Sequence, residues 1–133
     1  MKSSITLMEI IIVVVIIGIV TSFAVPSYRN SIERSKAETA EFSLLAIYNA
    51  EKRYKLDQGD YYYCSSNPCS QAELKDNLGV DVSDPYFTYR IIDPAGANNF
   101  QAEAIKKPGG LCENKKLTVT ESGSTINKGC SIW

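Results

Sequence analysis

Ile5-Thr6-Leu7-Met8-Glu9-Ile10 opens an apolar run that continues to Val25, with Thr6, Glu9, Thr21 and Ser22 as its polar exceptions. A helix that crosses hydrocarbon needs about 20 mostly apolar residues, and this run has that length. A removable signal peptide is the alternative. It would show a positive start, a shorter purely apolar core and a small-residue cleavage site. Here Lys2 is the only charge before Glu9, Glu9 interrupts the core, and a helical pattern continues without a break after Pro26. An ionised carboxylate in hydrocarbon is costly, so Glu9 is a functional candidate that needs a partner charge. The nearest bases are Lys2 and Arg29, and neither lies inside the run.

Gly18 and Pro26 are two helix breakers in this stretch. Gly costs about 1 kcal/mol against Ala in a helix interior and Pro roughly 3 kcal/mol. A plain kink at Pro26 is one reading. The other is local unwinding between Gly18 and Pro26. Extended chain rises about 3.3 Å per residue against 1.5 Å in a helix, so eight residues would lengthen by on the order of 14 Å.

From Ser27 to about Leu56 the pattern is that of an amphipathic helix. Tyr28, Ile32, Ala40, Leu44, Ile47, Tyr48 and Tyr54 recur near the 3.6 period, with Glu33, Arg34, Lys36, Glu38, Glu41, Glu51 and Lys52 expected on the solvated side. Gly59 is a stop signal. Ser70 to Leu78 carries a capping-box pattern, with Ser70 as N-cap and Glu73 three residues on. The period then changes to two. Tyr86–Ile92, Phe100–Ile105 and Leu117–Thr120 read as strands. Pro94 to Asn99 joins the first two, Pro108-Gly109-Gly110 separates the second and third, and Glu121 to Ser124 turns the chain into Thr125-Ile126. The expected fold class is α+β, a long N-terminal helix packed on a three- or four-stranded antiparallel meander.

Composition narrows the function. The chain has no histidine, which removes the commonest general base and metal ligand. No phosphate-binding glycine loop or nucleophile motif is present, so an enzyme is not expected, nor any cofactor or metal. A net charge of -1 makes no electrostatic case for nucleic acid. The basic doublets Lys106-Lys107 and Lys115-Lys116 read as plain surface, and no specific nucleic acid is evident. Cys64, Cys69, Cys112 and Cys130, beside a membrane segment, read as two disulfides in an oxidising compartment, since the paired C-x2-C spacings of a four-thiolate zinc site are absent. A Cys64–Cys69 bridge would staple the Asn67-Pro68 turn. A Cys112–Cys130 bridge would close about 19 residues around the last hairpin, worth roughly 3 kcal/mol.

Ile5-Thr6-Leu7-Met8-Glu9-Ile10, then Gly18, then Pro26-Ser27-Tyr28, resembles the N-terminus of type IV pilins. Cys112 to Cys130, with Leu117-Thr118-Val119 between them and Trp133 after, resembles a pilin subgroup with a C-terminal disulfide and a terminal Trp. The resemblance implies a leader over residues 1–4, a transmembrane and filament-core helix over 5–26 and a globular head over 27–133. It implies cleavage of the Ser4-Ile5 bond by a prepilin peptidase and methylation of the new amine on Ile5. Ser4 stands where the family usually has Gly, and Ile5 where it usually has Phe. Glu9 would then meet the amine of an adjacent subunit and set its register. Gly18 and Pro26 would mark the stretch that melts on assembly. The implied partners are identical or homologous pilin subunits, the assembly machinery of the inner membrane, and the membrane itself before export to a surface pilus. The implied role is a structural subunit for adhesion, twitching motility or DNA uptake. A pseudopilin of type II secretion, which shares the N-terminus, is the alternative.

Overall fold

The computed structural model describes residues 4–94, 96 and 99–133. Of the leader only Ser4 is therefore described, and Ala95, Ala97 and Asn98 of the expected turn lie outside the described residues. Helix α1 runs Leu7–Gln58. The chain divides into two compact units between Ile32 and Glu33, and each is taken by itself.

The first unit is the apolar part of α1. Its side chains are exposed throughout, from Leu7 at 78% to Phe23 at 76%, so nothing within the unit covers them. Pro26 lies inside the helix and has no N–H for the carbonyl of Ser22, four residues back. One turn upstream the polar side chains fold onto the backbone. Thr21 Oγ1 donates to Ile17 O at 2.8 Å and lies 3.1 Å from Gly18 O, and Ser22 Oγ donates to Ile19 O at 2.7 Å. Such back-bonding hides the hydroxyls from hydrocarbon and loosens the ladder it joins.

In the second unit α1 buries Ala37, Ala40, Leu44, Ile47 and Ala50, spaced three or four apart, as one face of a helix requires. Helix α2, Gln71–Leu78, follows the tyrosine-rich segment and adds Leu74 and Leu78 to the core. Its capping box is complete: Ser70 accepts from Glu73 N, and Glu73 reaches back to the Ser70 N–H. Four strands follow, β1 Phe87–Ile92, β2 Gln101–Lys106, β3 Lys116–Thr120 and β4 Gly123–Lys128, antiparallel in the order β1-β2-β3-β4. The fourth strand starts at Gly123, so the turn is tighter than the four residues expected. Phe87, Tyr89 and Ile91 of β1, Ala102 and Ala104 of β2, and Leu117 and Val119 of β3 form the buried face.

Three expectations are corrected. Tyr28 is 67% exposed and joins no core. Glu33 and Glu51, assigned to the solvated side of the helix, are buried at 6% and 0%, because other elements supply their partners. Glu33 Oε2 is 3.0 Å from Lys106 Nζ, and its Oε1 is 2.8 Å from Lys36 Nζ. Glu51 Oε2 accepts from Tyr62 N at 2.9 Å. Lys106, read as surface, is correspondingly only 2% exposed. It sits opposite Phe87 in the β1–β2 register and so on the inner face.

The other face of the sheet holds a third buried acid. Glu103 is 1% exposed and accepts from Arg90, from Lys116 Nζ at 2.6 Å and from Gln101 Nε2 at 2.8 Å. Burial pushes its carboxyl up, but these bonds and charges outweigh it and hold the carboxyl below the usual range. Strand β4, on the far side of β3, is followed by a close approach. Gly129 N donates to Lys116 O at 2.9 Å, and a Cβ on Gly129 would lie 2.6 Å from that oxygen. Gly129→Ala is therefore expected to destabilise the head by about 1–3 kcal/mol, an overpacking cost. Urea denaturation of the variant beside the parent checks it.

Candidate functional site

Glu9 is the one carboxylate in the apolar run, and the helix start explains where it points. Thr6 precedes Leu7, the first helical residue, and Glu9 falls three residues after it. Thr6 N donates to Glu9 Oε2 at 2.8 Å, Thr6 Oγ1 donates to the same oxygen at 2.9 Å, and Glu9 N approaches Thr6 Oγ1 at 3.3 Å. This is a capping box, in which each residue satisfies an orphan donor of the other. Sequence reasoning found the Ser70 box and missed this one, although Thr6-Leu7-Met8-Glu9 carries the same spacing.

The box has a chemical consequence. Among the described residues, Oε2 is occupied by Thr6, Oε1 makes no bond and no cation pairs with Glu9. Thr6 is also the residue after Ile5. Cutting the Ser4-Ile5 bond would place a cationic amine one residue from the amide that Glu9 already holds. Ser4 and Ile5 are both exposed, so the bond is open to an enzyme. Gly18 has nothing within 4 Å of an added Cβ, and the segment from Gly18 to Pro26 is helical in the single chain.

The head presents its own built features. Cys64 and Cys69 are bonded, with Cα atoms 5.4 Å apart, and Cys112 and Cys130 likewise at 5.9 Å. Cys69 N donates to Tyr89 O at 2.9 Å. Trp133 packs on Phe87 with ring centroids 5.8 Å apart. Lys107 Nζ donates to Asp84 O at 3.0 Å, and Lys115 is exposed. No group of acids and cysteines among the described residues is arranged to hold a metal ion.

Residues 26–131 match the family described as "Type IV minor pilin ComP, DNA uptake sequence receptor". That match covers most of the chain. The chain belongs to this type IV pilin family. The pilin is also 35% identical over 117 residues to type II secretion system core protein G of Pseudomonas aeruginosa, covering 83% of this chain and 80% of that protein. Fimbrial protein EcpC of Eikenella corrodens is 27% identical over 128 residues, 96% of the pilin and 78% of EcpC. Core protein G of Vibrio cholerae is 38% identical over 60 residues. In that comparison the pilin spans 41% of the Vibrio protein's length, and 45% of its own. No solved structure matches the pilin. Its long helix on a four-stranded antiparallel sheet is the α+β architecture of type IV pilins, and its apolar helix fits a membrane-anchored precursor of a surface pilus.

Proposed function

We propose that the pilin is a structural subunit that polymerises through its N-terminal helix into a type IV pilus on the cell surface. The carrying observation is a helix exposed along its whole apolar length, with a single carboxylate near its start. Such a surface is stable in a bilayer or among copies of itself and not in water. Prepilin peptidase would cut Ser4-Ile5, the amine of Ile5 would be methylated, and that amine on an adjacent subunit would pair with the free oxygen of Glu9. Unwinding between Gly18 and Pro26 would let helices stack, and the back-bonded Thr21 and Ser22 support that placement of the weak stretch. The inner membrane and its assembly machinery hold the subunit before export. The subunit catalyses nothing itself, which the lack of histidine supports.

The family's description favours a minor subunit with a part in DNA uptake over adhesion or twitching motility. The likeness to core protein G keeps the pseudopilin reading alive. The Cys112–Cys130 pair and the lack, among the described residues, of an acidic ligand cluster near the C-terminus weigh against it. Mass spectrometry of purified surface filaments tests the proposal. The expected result is this chain beginning at methylated Ile5, at a minor share of the total. Its absence from filaments overturns the reading. For the processing step, Ser4→Glu is expected to leave the chain at its uncut mass, and an unchanged mature mass removes the proposed bond.

A further inference from the structure

Glu51 is fully buried, 0% exposed, on the inner side of α1. Its Oε2 accepts from Tyr62 N at 2.9 Å, while Oε1 is buried and meets no donor among the described residues. No cation among the described residues pairs with it. The adjacent Lys52 is drawn to Glu121 O at 2.9 Å, and Lys55 lies 4.1 Å from the centre of the Tyr61 ring. An ionised carboxylate so placed is under-compensated. The groups that bear on it are Tyr62 and Tyr63 of the following segment, whose phenols are both pushed up by burial first and by nearby acids, Glu51 among them. Glu73 of α2 lies beyond the Tyr62 phenol.

A line of hydrogen bonds leads from this acid to the surface. Tyr62 bonds Glu51 through its amide and Glu73 Oε1 through its hydroxyl at 2.8 Å. Glu73 in turn accepts from Ser65 N at 2.5 Å, Ser65 Oγ at 2.7 Å and Ser66 Oγ at 2.7 Å. Ser65 and Ser66 lie within the loop closed by Cys64 and Cys69. We propose that Glu51 is a proton-sensitive latch, seated when neutral and expelled toward water when ionised, whose state is passed through Tyr62 and Glu73 to the exposed Cys64–Cys69 loop. The pilin would then present a different loop surface in acidic and in alkaline surroundings. The two-state element is the segment from Asp60 to Ser66, which has no strand or helix of its own.

The direction of the effect follows from burial, which raises the Glu51 carboxyl from 4.5 to about 7 against the opposing Tyr62 amide bond. The folded state therefore holds the proton more tightly than the unfolded one. The stability it contributes is complete below the unfolded value and is lost as pH rises through about 7. The test is amide NMR of the full chain in detergent micelles, titrated from about pH 5 to about pH 9. Tyr62 and Ser65 are expected to shift with one common midpoint near 7. Glu51→Gln should abolish both shifts and flatten the fall in melting temperature with pH. Glu73→Gln should keep the Tyr62 titration and remove that of Ser65. Flat signals at both residues in the parent chain, or a titration confined to Tyr62, overturn the latch.

Discussion

Replacing Glu33 by alanine is expected to lower the stability of the head by about 3–5 kcal/mol, the cost of leaving a buried charge unpaired. The charge left behind is Lys106. It is 2% exposed, lies within 5.3 Å of the Tyr86 and Phe87 ring centres, and has Glu33 as its ion-pair partner at 3.0 Å. Lys36, whose side chain is 21% exposed, can turn to water, but Lys106 on the inner face of β2 cannot. Burial alone would push the Glu33 carboxyl up, yet bonds and charge from Lys36 and Lys106 hold it below the usual range. Its contribution is thus present above the ordinary carboxylate value and lost as pH falls. A stability of about 5–15 kcal/mol is usual for a domain, so the variant should lose a large share of it. Urea denaturation of the full chain in detergent measures it. Replacing both residues by apolar ones, Glu33→Leu with Lys106→Met, should recover most of the loss, since no charge then remains buried. A loss below about 1 kcal/mol for Glu33→Ala would mean that water reaches Lys106.

Glu9→Ala should leave the chain in the membrane and abolish or sharply reduce filaments. The capping box separates two reasons for that loss. Alanine removes both the charge and the carboxylate's bonds to Thr6, and a lost cap costs about 1 kcal/mol of helix stability. Glu9→Gln keeps a side chain that can bond the Thr6 amide and removes the charge alone. If the carboxylate pairs with the amine of an adjacent Ile5, the Gln variant should fail to assemble as completely as the Ala variant. Normal piliation with Gln would leave Glu9 a helix cap and nothing more. Counting filaments sheared from cells, with membrane fractions probed for the subunit, reads both steps.

The change of hydrophobic period from 3.6 to 2 was enough to place one long helix before an antiparallel meander, and Ser70-x-x-Glu73 was enough to start α2. These are local signals, carried by residues within one turn of each other. Glu33 and Glu51 were misread because an acid on a helix looks solvated until its partner is known. For Glu33 the partner is a lysine on β2, and for Glu51 it is an amide in the loop after the helix. The Thr6-Glu9 box was local and still went unseen. A carboxylate in an apolar run points to a missing cation, whereas an amide three residues away accounts for one of its oxygens. Lys106 reads as surface from its doublet with Lys107, but it is the last residue of β2 and in register with the buried Phe87, which turns it to the inner face.

The bond from Cys69 to Tyr89 has a further meaning under the proposed polymerisation. Strand β1 is an outer strand of the sheet, and the unpaired backbone of such a strand is a template for any other extended chain. Two of its outward groups are already taken, Tyr89 O by the Cys69 amide and Phe87 N by the Asp84 carboxylate. The cystine loop holds the first of these occupants in place. Under the proposed function, subunits crowded together are thereby denied one disordered way of sticking together.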